Sequence, residues 1–213
     1  MDLSPDEAND CQTERMCFSM TKMKRFLLAL AALLLLAFSC TACAETTEDH
    51  AHILIAYFSR SGNTEIVAQE ICALTNGELF EIVPEEPYPE DYNETVERFR
   101  RERDDDARPA LASMVENMDD YDIVFVGYPI WGGDIPYVVR TFLEQYDFAG
   151  KTIIPFCTHG GSRFGSSLET LEALCPDAVL AEGYEVYGGS ADNASEEVAH
   201  WLETLALPSG MEE

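Results

Sequence analysis

Three polar, glycine-containing segments of the sequence carry residue types that could bind a ligand. The first, residues 59–64, reads Ser-Arg-Ser-Gly-Asn-Thr and offers three side-chain hydroxyls, a glycine and the unpaired amides of a predicted helix start. Hydroxyls and free amides at a helix N-terminus favour an anion, most naturally a phosphate. The segment contains neither G-x-x-x-x-G-K-[ST] nor G-x-G-x-x-G, which argues against a nucleoside-triphosphate or dinucleotide fingerprint. A helix cap that binds no ligand is the alternative interpretation.

The second segment, residues 128–136, places a tryptophan shortly after an apolar run. Trp131 offers a flat surface on which a planar ligand could stack, and Gly132 and Gly133 would let the backbone approach that ligand closely. The pattern therefore predicts contact with an aromatic ring. The alternative is that Trp131 belongs to the hydrophobic core.

The third segment, residues 158–165, combines several glycines with Thr158 and His159. This composition indicates backbone that lies close to a ligand, although a flexible connector has the same composition. Taken together, the three segments predict one ligand with a phosphate at one end and a flat heterocycle at the other.

Other kinds of chemistry find little support in the sequence. It shows no Ser-His-Asp arrangement and no pair of carboxylates suited to acid–base catalysis, so hydrolysis is not predicted and no catalytic residue is assigned. Cysteine and histidine do not cluster at zinc-binding spacing, and we predict no metal site. Cys72, Cys157 and Cys175 have apolar neighbours, which is typical of small buried side chains rather than of a disulfide framework.

The three segments must be positioned by the elements between them, and these alternate between strand and helix. Apolar runs predict strands at 52–58, 78–83, 122–128, 152–157 and 179–187. Apolar residues at helical spacing predict helices at 63–75, 90–108, 111–118, from 136, at 166–174 and near the C-terminus. This alternation is typical of an α/β fold, a doubly wound five-stranded parallel sheet with helices on both faces. In such a sheet, ligands bind beyond the carboxyl ends of the strands, where the three segments would meet.

The chain of 213 residues has a formal net charge of −27, from 40 acidic and 13 basic residues. This charge argues against binding to nucleic acid or to an anionic lipid surface, because both attract basic side chains. It suits encounter with basic partners. The helix predicted at 90–108 is dense in charges of both signs, and we interpret it as solvated rather than as a docking patch.

Residues 1–44 have the features of a leader, and residues 45–213 form the predicted domain. A basic cluster that ends at Arg25 precedes an apolar run at 26–38 and small residues at 39–44. This is the pattern of a secretory signal, and the run is shorter than the roughly 20 residues of a membrane-spanning helix. We therefore expect export, with cleavage either before Glu45 or before Cys43, which a lipid would then anchor to the membrane. A signal that is retained as an uncleaved anchor is the alternative.

The chain resembles the flavodoxins from about residue 52 to its last helix. The resemblance is most specific at 56–64, 127–136 and 147–152. It implies bound FMN on a parallel sheet of strand order 2-1-3-4-5. It implies that the FMN phosphate is held by Ser59, Ser61, Gly62, Asn63 and Thr64. It also implies that one face and edge of the flavin ring are lined by Pro129, Ile130, Trp131, Gly132 and Gly133. The pyrimidine side of the ring would contact Thr158, His159, Gly160 and Gly161.

Two positions depart from the usual flavodoxin pattern. Arg60 stands in the phosphate segment where a small polar residue is common, and it would either clamp the phosphate or point to solvent. His159, Gly160 and Gly161 stand where many flavodoxins have a second aromatic residue. This departure would leave one face of the flavin ring open to NAD(P)H or to a small acceptor.

The resemblance predicts an electron-transfer protein that shuttles electrons between redox partner proteins. The alternative is an NAD(P)H-dependent FMN reductase that acts on quinones or similar small acceptors, with His159 or Arg163 as contacts for the substrate. A third hypothesis is a binding module for another phosphorylated ligand, without redox chemistry. Trp131 and the two glycines after it argue against this third hypothesis.

Overall fold

The structure is a computed structural model and describes residues 51–205 and 207. Its centre is a parallel β-sheet of six strands. The predicted leader at 1–44 lies outside the described residues. The strands are β1 (Ile53–Tyr57), β2 (Glu78–Glu81), β3 (Ile123–Pro129), β4 (Thr152–His159), β5 (Val179–Leu180) and β6 (Tyr184–Tyr187). The helices are α1 (Asn63–Thr75), α2 (Tyr92–Asp104), α3 (Tyr137–Glu144), α4 (Ser167–Leu174) and α5 (Ser195–Thr204). Of these described helices, none has the length and apolar character that crossing a membrane requires.

The strand order confirms the predicted doubly wound α/β fold. Neighbouring strands lie in the order β2-β1-β3-β4-β5, and β6 continues the edge beside β4. Successive residues of β3 show why both sheet faces are apolar. Val124 belongs to a core cluster with Phe142 of α3, whereas Phe125 belongs to a second cluster with Ile71 of α1 and Trp201 of α5. Helices therefore cover the sheet on both sides, as a parallel sheet requires.

The edge strand predicted at 179–187 is interrupted, so the prediction of one continuous strand is wrong. The amides of Val179 and Ala181 donate to the carbonyls of Lys151 and Ile153, both at 2.9 Å. A strand residue directs its N–H and its C=O to the same side, so the backbone of Pro155 faces this edge too. Proline has no N–H to donate, and the ladder between β4 and the edge breaks opposite it. The edge strand consequently forms two pieces, β5 and β6.

The prediction of a helix at 111–118 is also wrong. Leu111 forms an antiparallel bridge with Pro84, and the amide of Ala112 donates to the carbonyl of Val83 at 2.8 Å. These bonds hold the backbone extended against the loop that follows β2. A short 3-10 turn at Met118–Asp120 then leads towards β3.

The cysteines of the described residues are free, in agreement with the prediction that they form no disulfide framework. Cys157 and Cys175 are buried, and burial raises the pKa of the Cys175 thiol to about 11. Cys72 is half-buried, and its thiol donates to the carbonyl of Gly77 at 3.2 Å. The prediction of small buried side chains is thus confirmed for two of the three cysteines.

We expect Gly127→Ala to lower the free energy of unfolding by about 1–3 kcal/mol. Gly127 of β3 lies beside Phe156 of β4, and an added Cβ would overlap its buried ring, which has no room to move. Gly160→Ala is the matched control, because an added Cβ there meets nothing within 4 Å, and it should change stability by less than about 1 kcal/mol. Urea denaturation measures both values, and equal losses in the two variants would contradict the steric explanation.

Candidate functional site

A cavity of about 590 Å³ opens at the carboxyl ends of β1, β3 and β4. The parallel register places Tyr57, Gly127 and Phe156 side by side, so the segments that follow these strands meet at one edge of the sheet. The volume lies within the usual range for small-molecule sites. Ten predicted site residues line the cavity: Arg60, Ser61, Asn63, Pro129, Ile130, Trp131, Gly132, Thr158, His159 and Gly160.

The remaining five predicted residues lie outside this lining: Ser59, Gly62, Thr64, Gly133 and Gly161. Two of them hold the segments together. Thr64 Oγ1 and Thr158 Oγ1 form a hydrogen bond of 2.9 Å, and this buried pair ties the first segment to the third. The carbonyl of Gly133 accepts from the amide of Ser166 at 2.9 Å and ties the second segment to the residue before α4.

The first segment presents an uncapped helix start. Gly62 is the N-cap residue of α1 and has a φ of 87°, a left-handed conformation that favours glycine. It has no side chain with which to cap the amides of the first turn, so the positive end of the helix dipole stays available to an anion. The hydroxyl oxygen of Ser59 is buried and finds no hydrogen-bond partner among the described residues. Because an unpaired buried hydroxyl is unfavourable, this arrangement fits a polar group that comes from a ligand.

Arg60 connects the first segment to α2. Its guanidinium donates to the carbonyls of Pro89, at 3.1 Å, and Glu90, and to Thr95 Oγ1 at 3.0 Å. The sequence left a phosphate clamp and a solvent-directed side chain as the two possibilities for Arg60. The structure instead uses the guanidinium to hold the start of α2 against the first segment.

The indole of Trp131 both lines the cavity and packs against the core, which combines the two interpretations left open by the sequence. Its ring stands edge-on to the rings of Phe58, Tyr88 and Phe99, with centroids 5.4, 4.9 and 6.0 Å away. Three aromatic contacts fix the orientation of the indole without help from a ligand.

The turn after Trp131 is tight. The amide of Trp131 donates to the carbonyl of Asp134 at 3.0 Å, and the reverse bond measures 3.1 Å. Gly132 and Gly133 lie between them with φ values of 60° and 88°. A Cβ on Gly132 would meet the ring of Phe99 at 2.7 Å, so only glycine lets α2 approach this turn.

A largely buried ion pair within α2 bonds to the loop that follows β2. Arg98 and Glu102 lie 2.8 Å apart, with side chains only 12% and 8% exposed. The hydroxyl of Tyr88 donates to the same carboxylate at 2.8 Å, and the Arg98 guanidinium lies 4.1 Å from the centre of the Tyr88 ring. Burial, and then the Glu102 carboxylate, raise the pKa of Tyr88, so its hydroxyl remains a donor. Since Tyr88 also packs on Trp131, this arrangement helps to orient the indole.

One face of α2 forms a wall of the cavity that the sequence analysis missed. The wall consists of Tyr92, Thr95, Val96, Phe99, Arg100 and Arg103. These residues recur every three or four positions and therefore share one side of the helix. Tyr92, Arg100 and Arg103 are exposed, in agreement with the interpretation of this helix as solvated, and Thr95 is buried. The helix is shorter than predicted, Tyr92–Asp104. The apolar stripe was visible in the sequence, but what it faces depends on how the chain folds back.

His159 connects the third segment to β6. Its Nδ1 accepts the amide proton of Gly161 at 2.9 Å, so Nε2 carries the ring proton and donates to the carboxylate of Glu185. The same carboxylate pairs with Arg163 at 2.7 Å. Arg163 is 79% exposed and lies outside the lining, and its contact with a substrate stays a prediction.

Residues at the end of β6 complete the lining, and the sequence analysis missed them as well. Tyr187, Gly188 and Gly189 border the cavity, and the Tyr187 ring lies 6.4 Å from that of His159. Tyr187 is 56% exposed and supplies an aromatic side chain beside the third segment. An aromatic residue followed by two glycines at a strand end repeats the pattern of Trp131, and this signal could have identified it.

Comparisons with known proteins agree with this geometry. A family model described as flavodoxin matches residues 52–205. A candidate flavoprotein from Bacteroides eggerthii shares 36% sequence identity with a TM-score of 0.64, over 74% of this chain and 99% of its own. A candidate flavoprotein from Bacteroides uniformis shares 33% identity with a TM-score of 0.65, over 72% and 99% of the two chains.

A more distant structure resembles the chain in fold. A flavoprotein from Lactobacillus acidophilus, solved in complex with FMN, shares 19% identity with a TM-score of 0.57, over 70% of this chain and 99% of its own. No curated protein matches the chain.

The chain is a doubly wound α/β protein with a cavity at the carboxyl ends of its central strands. The match over residues 52–205 and the identity with the two Bacteroides structures place the chain within one family. The chain belongs to the flavodoxin family.

Proposed function

We propose that the chain binds FMN in this cavity and transfers electrons between redox partners. The observation that carries the proposal is the uncapped start of α1 beside Ser61 and Asn63 of the cavity lining, with the buried and unpaired hydroxyl of Ser59 shortly before it in the chain. Membership of the flavodoxin family supports FMN as the ligand, and the Lactobacillus acidophilus flavoprotein of similar fold was solved with FMN.

The first segment would hold the phosphate of FMN. Ser61 and Asn63 border the cavity, and the amides of the first turn of α1 follow them in the chain. The helix dipole and these amides stabilise an anion. Over the described range, the residues that line the cavity include no Asp or Glu, so no lining carboxylate repels a phosphate at short range.

The second and third segments would hold the flavin ring. Trp131 presents a ring that Phe58, Tyr88 and Phe99 already orient, so binding need not order it. The backbone of the third segment, with Thr158 tied to the first segment, would border the pyrimidine side. Bound FMN supplies the redox chemistry, and the protein supplies orientation and electrostatics.

The charge of the chain supports a protein as redox partner. Residues 45–213 contain 35 acidic side chains and only 9 basic ones. Such a charge steers a basic protein towards the acidic surface and accelerates encounter. The attraction acts over a Debye length of roughly 8 Å at physiological ionic strength and weakens with added salt.

A second candidate function is NAD(P)H-dependent reduction of quinones or similar small acceptors. The observation that favours it is the α2 wall, which places Arg100 and Arg103 at the cavity of a strongly acidic protein. Arginines at this position do not favour the docking of a basic protein, whereas they would attract a small anionic substrate.

The purified chain should contain FMN, or take up one equivalent of it, and show the visible absorption of bound flavin. Anaerobic mixing of the FMN-loaded protein with NADH or NADPH then separates the two functions. A shuttle keeps its flavin absorbance, because NAD(P)H is not its donor, whereas a reductase loses it rapidly. A colourless protein that takes up no added FMN would overturn the proposal.

We expect Ser59→Ala to weaken FMN binding by about tenfold or more, because a hydrogen bond to a charged group is worth about 1.5–3 kcal/mol. Without FMN, the variant should be at least as stable as the wild type, since the change removes an unpaired buried hydroxyl. Ser162→Ala alters an exposed serine outside the first segment and should leave FMN affinity unchanged. Fluorescence titration measures the affinity for FMN, and urea denaturation measures the free energy of unfolding. Unchanged affinity in Ser59→Ala would contradict the role assigned to the hydroxyl.

We also propose that the chain is exported and carries a lipid on Cys43. The sequence pattern supports this proposal, with an apolar run at 26–38 and Thr41 and Ala42 directly before the cysteine. We expect Cys43→Ala to abolish incorporation of labelled palmitate in bacterial cells and to release the protein from the membrane fraction. Cys40→Ala is the matched control and should retain the label. Label that survives in Cys43→Ala would contradict the lipid anchor.

A further inference from the structure

The arginines of α2 have three different surroundings. Arg98 serves the fold, because it is nearly buried and bonds to Glu102 and to the carbonyls of Glu86 and Pro87. Arg101 is exposed and lies outside the cavity lining. The remaining two, Arg100 and Arg103, line the cavity, and among the described residues neither side chain bonds to another element.

Arg100 and Arg103 are available to a ligand. Arg100 pairs with Glu97 at 2.7 Å, and Arg103 pairs with Asp104 at 2.7 Å. All four side chains are at least 55% exposed. Exposed pairs of this kind contribute roughly 0–1 kcal/mol, so a better anion can displace the carboxylates.

The charge at the cavity is opposite to that of the chain. Of the 9 basic residues between 45 and 213, Arg60, Arg100 and Arg103 line the cavity, and within the described part of the chain no acidic residue does. The same stretch of sequence contains 35 acidic residues. A concave surface lined by one sign of charge concentrates ligands of the opposite sign.

The two arginines lie away from the predicted phosphate segment. Thr95, which bonds to Arg60, and Arg103 are eight residues apart on α2, which corresponds to about 12 Å along the helix axis. Val96 and Phe99 lie between them and border the cavity, and Phe99 packs on Trp131. One phosphate at the first segment therefore leaves Arg103 without a partner from the ligand.

We propose that Arg100 and Arg103 form a subsite for the anionic group of a small aromatic substrate. Val96 and Phe99 would contact its ring, and the planar guanidinium groups suit a carboxylate, sulfonate or phosphate. The inference rests on the proposed binding of FMN, and it names the class of substrate for the second candidate function.

The helix dipole provides a different reason for a cation near the end of α2, and it suggests the control. Arg101 and Arg103 both lie in the last turn, where positive charge complements the dipole. Arg101 shares that turn and that charge, but it does not line the cavity. Arg101→Gln therefore removes one positive charge from the same turn without touching the proposed subsite.

The experiment uses the FMN-loaded full chain and two probes with the same ring, naphthalene-2-sulfonate and the neutral naphthalene-2-carboxamide. Isothermal titration calorimetry at low ionic strength should show that the sulfonate binds about tenfold more tightly than the carboxamide. The double variant Arg100→Gln/Arg103→Gln should lose this preference and still hold one equivalent of FMN, which shows that it folds. Arg101→Gln should keep the preference.

A second set of titrations compares NADPH with NADH. It tests whether the anionic group is the 2′-phosphate of NADPH or belongs to a small acceptor. Tighter binding of NADPH that the double variant abolishes would support the subsite and assign it to the nicotinamide cofactor. Equal binding of NADPH and NADH, with the sulfonate preference intact, would support it and assign it to the acceptor.

Two results would contradict the proposed subsite without contradicting the proposed binding of FMN. One is equal affinity for the sulfonate and the carboxamide, and the other is a loss in Arg101→Gln as large as that in the double variant. A protein that takes up no FMN would instead overturn the proposed function, and the subsite with it.

Discussion

The candidate site depends on the parallel pairing of β1, β3 and β4. Parallel strands need crossover connections, and the helices in those connections cover both faces of the sheet. The central strands are therefore almost uniformly apolar, and polar residues can follow only where each strand ends. Because the register places Tyr57, Gly127 and Phe156 abreast, the three polar segments open at the same level. The cavity is a consequence of this alignment.

A second set of contacts makes the loops around the cavity rigid. The buried hydrogen bond between Thr64 and Thr158 joins the first and third segments, and Arg60 joins the first segment to α2. The bond from Tyr88 to Glu102 and the bonds from Arg98 to the carbonyls of Glu86 and Pro87 hold α2 against the loop that follows β2. These polar groups satisfy one another, so the unpaired hydroxyl of Ser59 stands out as the group that a ligand would complete. A site ordered before binding loses less conformational entropy when the ligand arrives.

The charge of the residues that line the cavity differs from the charge of the chain as a whole. The sequence between 45 and 213 has a large excess of acidic residues, whereas the described residues that line the cavity include arginines and no Asp or Glu. The family establishes the fold, but it does not decide which ligand or partner the cavity serves. The α2 wall belongs to the segment between β2 and β3.

The sequence alone determined the alternation of strands and helices, the bounds of α1, the strand order through the family resemblance, and ten residues of the cavity lining. Apolar periodicity and the position of glycines are local properties, and a single chain displays them. Only the tertiary structure decided the break in the edge strand, because it depends on Pro155 of the neighbouring strand. Only the tertiary structure placed Arg100, Arg103 and Tyr187 at the cavity, because what a side chain faces is set by contacts between elements distant in the sequence.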